Sequence, residues 1–201
     1  MNIVCLDMEG VIVPEIWIAF AEATGIPELK RTTRDEPDYD KLMKYRIAIL
    51  KEHKLGLKEI QDVISTIEPL DGAKKFLDEL RSFTQVLILS DTFTQFAMPL
   101  MKKLGYPTLM CNELVVGENG EIADYKMRVK NSKLSTVRAL QSVGFDTIAA
   151  GDSFNDLAMI KASKGGFLFR STEKIKNDNP DIPAYERFDD LLSAIKKVIN
   201  E

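Results

Sequence analysis

The residues of this chain that could do chemistry are polar groups at the ends of apolar runs. Ile3-Val4-Cys5-Leu6 stops at Asp7-Met8-Glu9-Gly10, Val86-Leu87-Ile88-Leu89 at Ser90-Asp91-Thr92, and Thr147-Ile148-Ala149-Ala150 at Gly151-Asp152-Ser153-Phe154-Asn155-Asp156. Each alone also reads as a solubilised strand-to-loop corner or, at Ser90, Asp91 or Thr92, as an ordinary helix cap. Brought together they would supply several hard oxygen ligands with a lysine, Lys133, nearby, the composition of a Mg2+ and phosphate site. Zinc is disfavoured, because the lone histidine is His53 and there is no Cys-x-x-Cys pair. The Gly-x-x-x-x-Gly-Lys-Ser/Thr phosphate loop is also missing. Asp7 is the candidate phosphoryl-accepting nucleophile.

For these groups to meet, their strands must be parallel. Apolar runs rich in β-branched residues are expected of strands buried on both faces of a parallel sheet. In open α/β sheets ligands bind outside the carboxyl ends of the strands, where these polar groups would lie. Asp7 and Glu9, two apart, fall on one side of an extended backbone, and Gly10 lets the loop approach a phosphate closely. A further strand is expected over 165–169, and helices over about 14–25 with Pro14 in the first turn, 38–54, 58–66, from 71, 93–104, from an Asn131-Ser132 cap, and 189–199. The free N–H groups of the 93–104 helix, with the Ser90 hydroxyl, would make an anion site. Residues 13–70 carry no strand pattern and are expected to form a small helical lobe, a lid over the sheet edge, leaving 1–12 and 71–201 as the α/β core. Asn119-Gly120 between strand-like flanks signals a hairpin near 112–128, read as a peripheral flap without chemistry.

Two cations need a reason. Leu42, Met43, Ile49 and Leu50 lie three or four positions from Arg46, which places its guanidinium in the apolar arc of the 38–54 helix. It snorkels, pairs with an internal acid, or reaches an anionic substrate group. Lys133, in a first helical turn, opposes the macrodipole unless an anion binds there. A solvated lysine is the alternative, with Lys130 a rival for the role.

The chain of 201 residues suits one core with a modest second lobe. With 45% hydrophobic and 29% charged residues it reads as an ordinary globular protein. The net charge of -4 and the lack of a basic run argue against a nucleic-acid partner. No basic segment precedes the N-terminal apolar stretch, which itself contains Asp7 and Glu9, so a signal peptide is not expected. Nor is a membrane partner, since no apolar run approaches the roughly 18 residues of a span. Cys5 and Cys111 do not make a disulfide framework and suit a reducing cytoplasm; neither is assigned a catalytic role. Small-molecule substrates remain as partners, with a homodimer left open.

Asp7-Met8-Glu9-Gly10, Leu89-Ser90-Asp91-Thr92, Lys133 and Gly151-Asp152-Ser153-Phe154-Asn155-Asp156 resemble, in order and spacing, the four motifs of the haloacid dehalogenase superfamily of phosphotransferases. The resemblance spans nearly the whole chain, and the combination is specific although each motif alone is weak. The helical insert resembles the cap of the phosphoserine phosphatase group. Asp7 through Trp17, with Arg31-Thr32-Thr33-Arg34-Asp35 and Pro37-Asp38-Tyr39-Asp40, is most similar to the bifunctional phosphoserine phosphatase/homoserine phosphotransferases. The implied fold is a Rossmann-like three-layer α/β/α core with a parallel sheet and a cap inserted after the first strand. The implied chemistry is attack by Asp7 on a phosphomonoester to give an aspartyl-phosphate. The resemblance further implies that Asp7, the Glu9 carbonyl and Asp152 hold Mg2+, with Asp156 and Asn155 positioning its waters or Lys133. Ser90 and Lys133 would hold phosphate oxygens, with Asp91 beside them, and Glu15 and Arg46 would bind the ammonium and carboxylate of phosphoserine.

Glu9 departs from the pattern, since most of the superfamily has an aspartate there as general acid and base. The hypothesis is that Glu9 still protonates the leaving oxygen but activates water less well, leaving time for an acceptor such as homoserine. A spectator glutamate is the alternative. Two rival classes are a signalling receiver domain, which would label an aspartate without turnover, and an inactive phosphate-binding module. A receiver fits poorly with an acceptor on the first strand and a helical cap.

Overall fold

Alternation decides which face of the sheet each strand residue covers. In strand β1 (Asn2–Leu6), Ile3 and Cys5 pack on one face and Val4 and Leu6 on the other, as a two-residue period requires. Both faces are apolar, so both must be covered. The computed structural model describes residues 1–33, 35–36 and 38–201; Arg34 and Pro37, part of the resemblance above, lie outside the described residues. Among the described residues, β1 is joined by β2 (Gln85–Phe93), β3 (Thr108–Val116), β4 (Ile122–Lys126), β5 (Asp146–Gly151), β6 (Gly165–Phe169) and β7 (Ala184–Tyr185). Their order is β4-β3-β2-β1-β5-β6-β7. All neighbours run parallel except β3 and β4.

Helices α6 (Ser132–Ser142), α7 (Leu157–Ala162) and α8 (Glu173–Asp178) cover the Ile3/Cys5 face through Val137, Met159, Ile160 and Ile175. On the other face α4 (Ala73–Phe83), α5 (Thr94–Lys103) and α9 (Phe188–Asn200) contribute Leu77, Leu80, Phe96, Leu191 and Ile195. The same core takes in the helical insert between β1 and β2: α1 (Ile16–Thr24), a 3-10 turn (Pro27–Lys30), α2 (Tyr39–Glu52) and α3 (Leu57–Thr66). Asp38 caps α2, its carboxylate accepting the Asp40 and Lys41 N–H groups at 3.1 and 3.2 Å. None of the helices among the described residues is long and apolar enough to cross a membrane.

Three expectations need correction. Helix α1 starts at Ile16 and Pro14 stands outside it, because the chain first folds back on itself. The Gly10 N–H donates to the Val13 carbonyl, and the Ile12 and Val13 N–H groups to Met8. Strand β2 does not stop at Ser90: Phe93, buried and paired with Asn112, keeps the backbone extended, so α5 starts at Thr94. Hence Phe93, and none of Ser90, Asp91 and Thr92, occupies the N-cap position of α5. Asn131 occupies the N-cap position of α6 in left-handed conformation but makes no capping side-chain bond. The hairpin expected near 112–128 is formed by β3 and β4 at the edge of the sheet, and β3 starts earlier, at Thr108, as a parallel neighbour of β2.

Candidate active site

Strands β2, β1 and β5 are adjacent in the sheet, so their carboxyl ends converge with Asp7 in the middle. The Asp7 N–H still pairs with Ala150 of β5 at 3.0 Å, which fixes where its side chain emerges. Oδ1 of Asp7 accepts the Met8 N–H at 2.7 Å and lies 2.8 Å from Lys133 Nζ. Lys133, 4% exposed in the first turn of α6, also donates to Asp156 Oδ1 at 2.6 Å. Its charge therefore has two anionic partners, and Lys130 is left at the surface. The second oxygen of Asp156 accepts the N–H groups of Asp152 and Ser153, each at 3.1 Å. That carboxylate thus organises the loop after β5.

Two glycines make the approach possible. A Cβ on Gly10, whose φ is 79°, would lie 2.5 Å from Asp152 Oδ2, and one on Gly151 would lie 2.3 Å from Asp156 Cγ. Gly10 is required by both conformation and space. With these loops closed down, one carboxylate oxygen each from Asp7, Asp152 and Asp156 lies within 4.8 Å of the others, a grouping able to hold a metal ion. The Glu9 carboxylate is outside it. Burial and then Asp156 push Asp7 well above the carboxylate range, with Lys133 opposing. Burial, Asp156 and Glu15 push Asp152 up to about 6. Burial pulls Lys133 down, but Asp7, Asp156 and Asp91 outweigh it and hold the ammonium charged. The cluster carries more negative charge than one lysine compensates, and hard oxygen donors with excess negative charge suit a divalent cation.

Beside Asp7, the ladder between β2 and β3 breaks. Leu89 faces Met110 and Phe93 faces Asn112, so Ser90-Asp91-Thr92 bulges out of register. Ser90 is buried, and its hydroxyl accepts the Thr92 N–H at 3.2 Å. The Asp91 side chain is occupied by neighbours: Oδ1 accepts from Ser132 Oγ at 3.2 Å and Oδ2 from Asn155 Nδ2 at 2.8 Å. Asp91 and Asn155, both expected at the substrate, are thus bonded to each other. The Asp91 carbonyl accepts from Asn112 Nδ2 at 3.0 Å and from the Tyr39 hydroxyl at 3.3 Å. The sequence reading gave no site role to Asn112, Ser132 or Tyr39; the one available signal was a polar Asn112 inside a strand pattern, and it is 1% exposed.

A second group lies under the helical insert. The Glu9 carboxylate accepts the Ile16 N–H at 2.9 Å, at the start of α1. Burial and the nearby Glu15 push it up to about 7, against the Ile16 N–H and Arg46. Glu15 itself is exposed. Arg46 neither snorkels nor pairs: it is 6% exposed and has no ion-pair partner among the described residues. Its guanidinium stacks 4.5 Å over Trp17, and Nη2 donates to the Arg31 carbonyl at 2.8 Å. Among the described residues, Nη1 meets only the Met43 sulfur and Nε has no partner. Burial lowers its pKa to about 10, which leaves it charged at neutral pH.

A family model described as haloacid dehalogenase-like hydrolase matches residues 1–164. Phosphoserine phosphatase ThrH of Pseudomonas aeruginosa is 51% identical over 197 residues, covering 98% of this chain and 96% of that one. A phosphoserine phosphatase of Pseudomonas syringae is 50% identical over 200 residues, covering 100% and 84%. Among solved structures, a phosphoserine phosphatase in apo form superposes with a TM-score of 0.75 over 92% of this chain and 94% of that one, at 22% identity. A phospho-aspartyl intermediate analogue of phosphoserine phosphatase gives 0.74 with the same coverage and identity. These two likenesses concern the fold, which is the expected three-layer α/β/α core with a mostly parallel sheet.

Proposed function

We propose that this chain, which belongs to the haloacid dehalogenase-like hydrolase family, hydrolyses phosphoserine through an aspartyl-phosphate on Asp7 and transfers the phosphoryl group to homoserine as well. The observation that carries the reading is the buried Asp7 carboxylate, held through one oxygen by Lys133 and the Met8 N–H. Among the described residues no hydrogen bond engages Oδ2, which is the atom left to attack phosphorus. Ser90 and Lys133 would hold the transferring phosphate oxygens, where stabilising the charge that builds in the transition state lowers the barrier. Asp7, the Glu9 carbonyl and Asp152, braced by Asp156, would hold Mg2+, whose charge offsets the repulsion between carboxylate and phosphate.

Glu9, with its pKa near 7, is protonated for a large fraction of the time at neutral pH and gives its proton to the departing serine oxygen. The resulting carboxylate then takes a proton from the acceptor, either water or the homoserine hydroxyl, as that oxygen attacks the aspartyl-phosphate. Arg46, with unused donors on a buried guanidinium, binds the substrate carboxylate, and Glu15 its ammonium group. Residues 13–70 act as the cap that excludes water. Two unpaired cysteines suit a cytoplasmic setting.

Phosphate release from phosphoserine with and without Mg2+ tests the reading. Metal-dependent turnover supports it. A stable phosphoprotein without turnover would instead mark a receiver, and neither labelling nor turnover a binding module.

A further inference from the structure

The bulge at Ser90-Asp91-Thr92 is tied to the helical insert through one hydroxyl. Because the β2–β3 ladder is out of register there, the Asp91 carbonyl is left to side chains. Asn112 reaches it from within the sheet, and Tyr39 reaches it from the first residue of α2, 52 positions away in sequence. The Tyr39 ring is placed for this. It packs edge-on to Tyr125 with centroids 5.8 Å apart, Tyr125 packs against Phe93 at 6.2 Å, and the Tyr125 hydroxyl donates to Asp40 at 3.0 Å. Burial, then Asp91, raises the Tyr39 hydroxyl far above neutrality, so it stays a donor.

We propose that Tyr39 is a positioning residue for phosphoryl transfer. Its hydroxyl carries the seating of the cap to the Asp91 peptide, and so sets the neighbouring Ser90 hydroxyl, which accepts the Thr92 N–H across that bulge, against the phosphate. The 3.3 Å separation is longer than the 2.7–2.8 Å common for O–H···O bonds, about what a contact shows before ligand draws it tight. The inference rests on the reading that the Ser90 loop holds the phosphate.

The test compares Tyr39→Phe, which keeps the ring and removes the hydroxyl, with the unaltered protein. Orthovanadate, a phosphoryl-transfer analogue, is titrated in Mg2+ by calorimetry, and turnover of phosphoserine and p-nitrophenyl phosphate is measured alongside. Loss of one neutral hydrogen bond predicts about three- to tenfold weaker orthovanadate binding. It also predicts matching falls in kcat for both esters, with little change in KM and an unchanged Tm. Tyr125→Phe, which loses only the Asp40 contact, keeps wild-type orthovanadate affinity. Equal orthovanadate affinity in Tyr39→Phe and wild type overturns the proposal, as does a loss confined to the KM for phosphoserine. Should Tyr39→Phe not fold, Tyr39→Leu, which is apolar and carries no side-chain donor, takes its place with the same outcomes. A wild-type protein that binds orthovanadate but leaves phosphoserine intact refutes the substrate reading alone, because the binding comparison still decides the role of Tyr39.

Discussion

Arg46→Met separates what the guanidinium does for the substrate from what it does to the fold. Among the described residues this buried charge has no carboxylate partner, and Nε is unbonded. A fall in its pKa from 12.5 to about 10 corresponds to a few kcal/mol against the charged form. Against this stand the stacking on Trp17, worth roughly 0.5–2 kcal/mol, and the bond to the Arg31 carbonyl, about 1.5 kcal/mol or more. The two sides nearly cancel. Methionine keeps an apolar stem of similar length, so the expected change in stability is within about 1 kcal/mol of zero, a Tm shift of at most about 4 °C in either direction. The substrate effect is larger. Removing charge-assisted bonds to a buried carboxylate costs about 2–4 kcal/mol, hence about 30- to 1000-fold in kcat/KM for phosphoserine. An ester without the carboxylate, such as p-nitrophenyl phosphate, loses less than about threefold. Phosphate-release kinetics on both esters and a thermal melt provide the assay. Equal losses on the two esters, or a Tm drop of 10 °C, would show that Arg46 serves the core and would refute the contact.

Other consequences concern the acidic cluster and Glu9. Asp152 is raised to about 6 and Glu9 to about 7, so each favours the folded state most when protonated, below its unfolded value, and loses that contribution as pH rises through its folded pKa. Without metal, the Tm should therefore rise on acidification from about pH 7.5 to pH 5, and Mg2+ should raise it more at the higher pH; a Mg2+ shift larger at the lower pH would contradict the cluster's role. Gly10→Ala forces a side chain onto a φ of 79° with its Cβ 2.5 Å from Asp152 Oδ2. Calorimetry should show Mg2+ affinity at least about tenfold weaker alongside a strain cost of about 1–2 kcal/mol; intact affinity would exclude Asp152 as a ligand. Glu9→Asp should raise the ratio of hydrolysis to homoserine transfer, measured from product ratios, and an unchanged ratio would end the idea that the longer side chain spares the intermediate from water.

The strand ends were legible because burial writes itself into composition. A parallel strand covered on both faces has to be apolar until it leaves the sheet, so Asp7, Ser90 and Asp152 stood out against Val4, Leu89 and Ala150. The α2 register was legible for the same reason, and Arg46 was conspicuous by violating it. What sequence could not carry were contacts that depend on distant pairing. Nothing local says that Asn112 pairs with Phe93 and throws Ser90-Asp91-Thr92 into a bulge, which is why β2 was expected to end at Ser90 and one of those three residues to cap the next helix. The hold of Asn155 on Asp91 likewise needs the ends of β2 and β5 on either side of β1. Pro14 misled because a favourable first-turn residue was read without the Met8 to Val13 turn that precedes it.

The most direct test of the central claim is to quench a single turnover of [32P]-phosphoserine with acid and map the label. The account predicts a hydroxylamine-labile phosphoryl group on the peptide containing Asp7, absent in Asp7→Asn. Label on any other residue, or phosphoserine turnover that survives in Asp7→Asn, would contradict it.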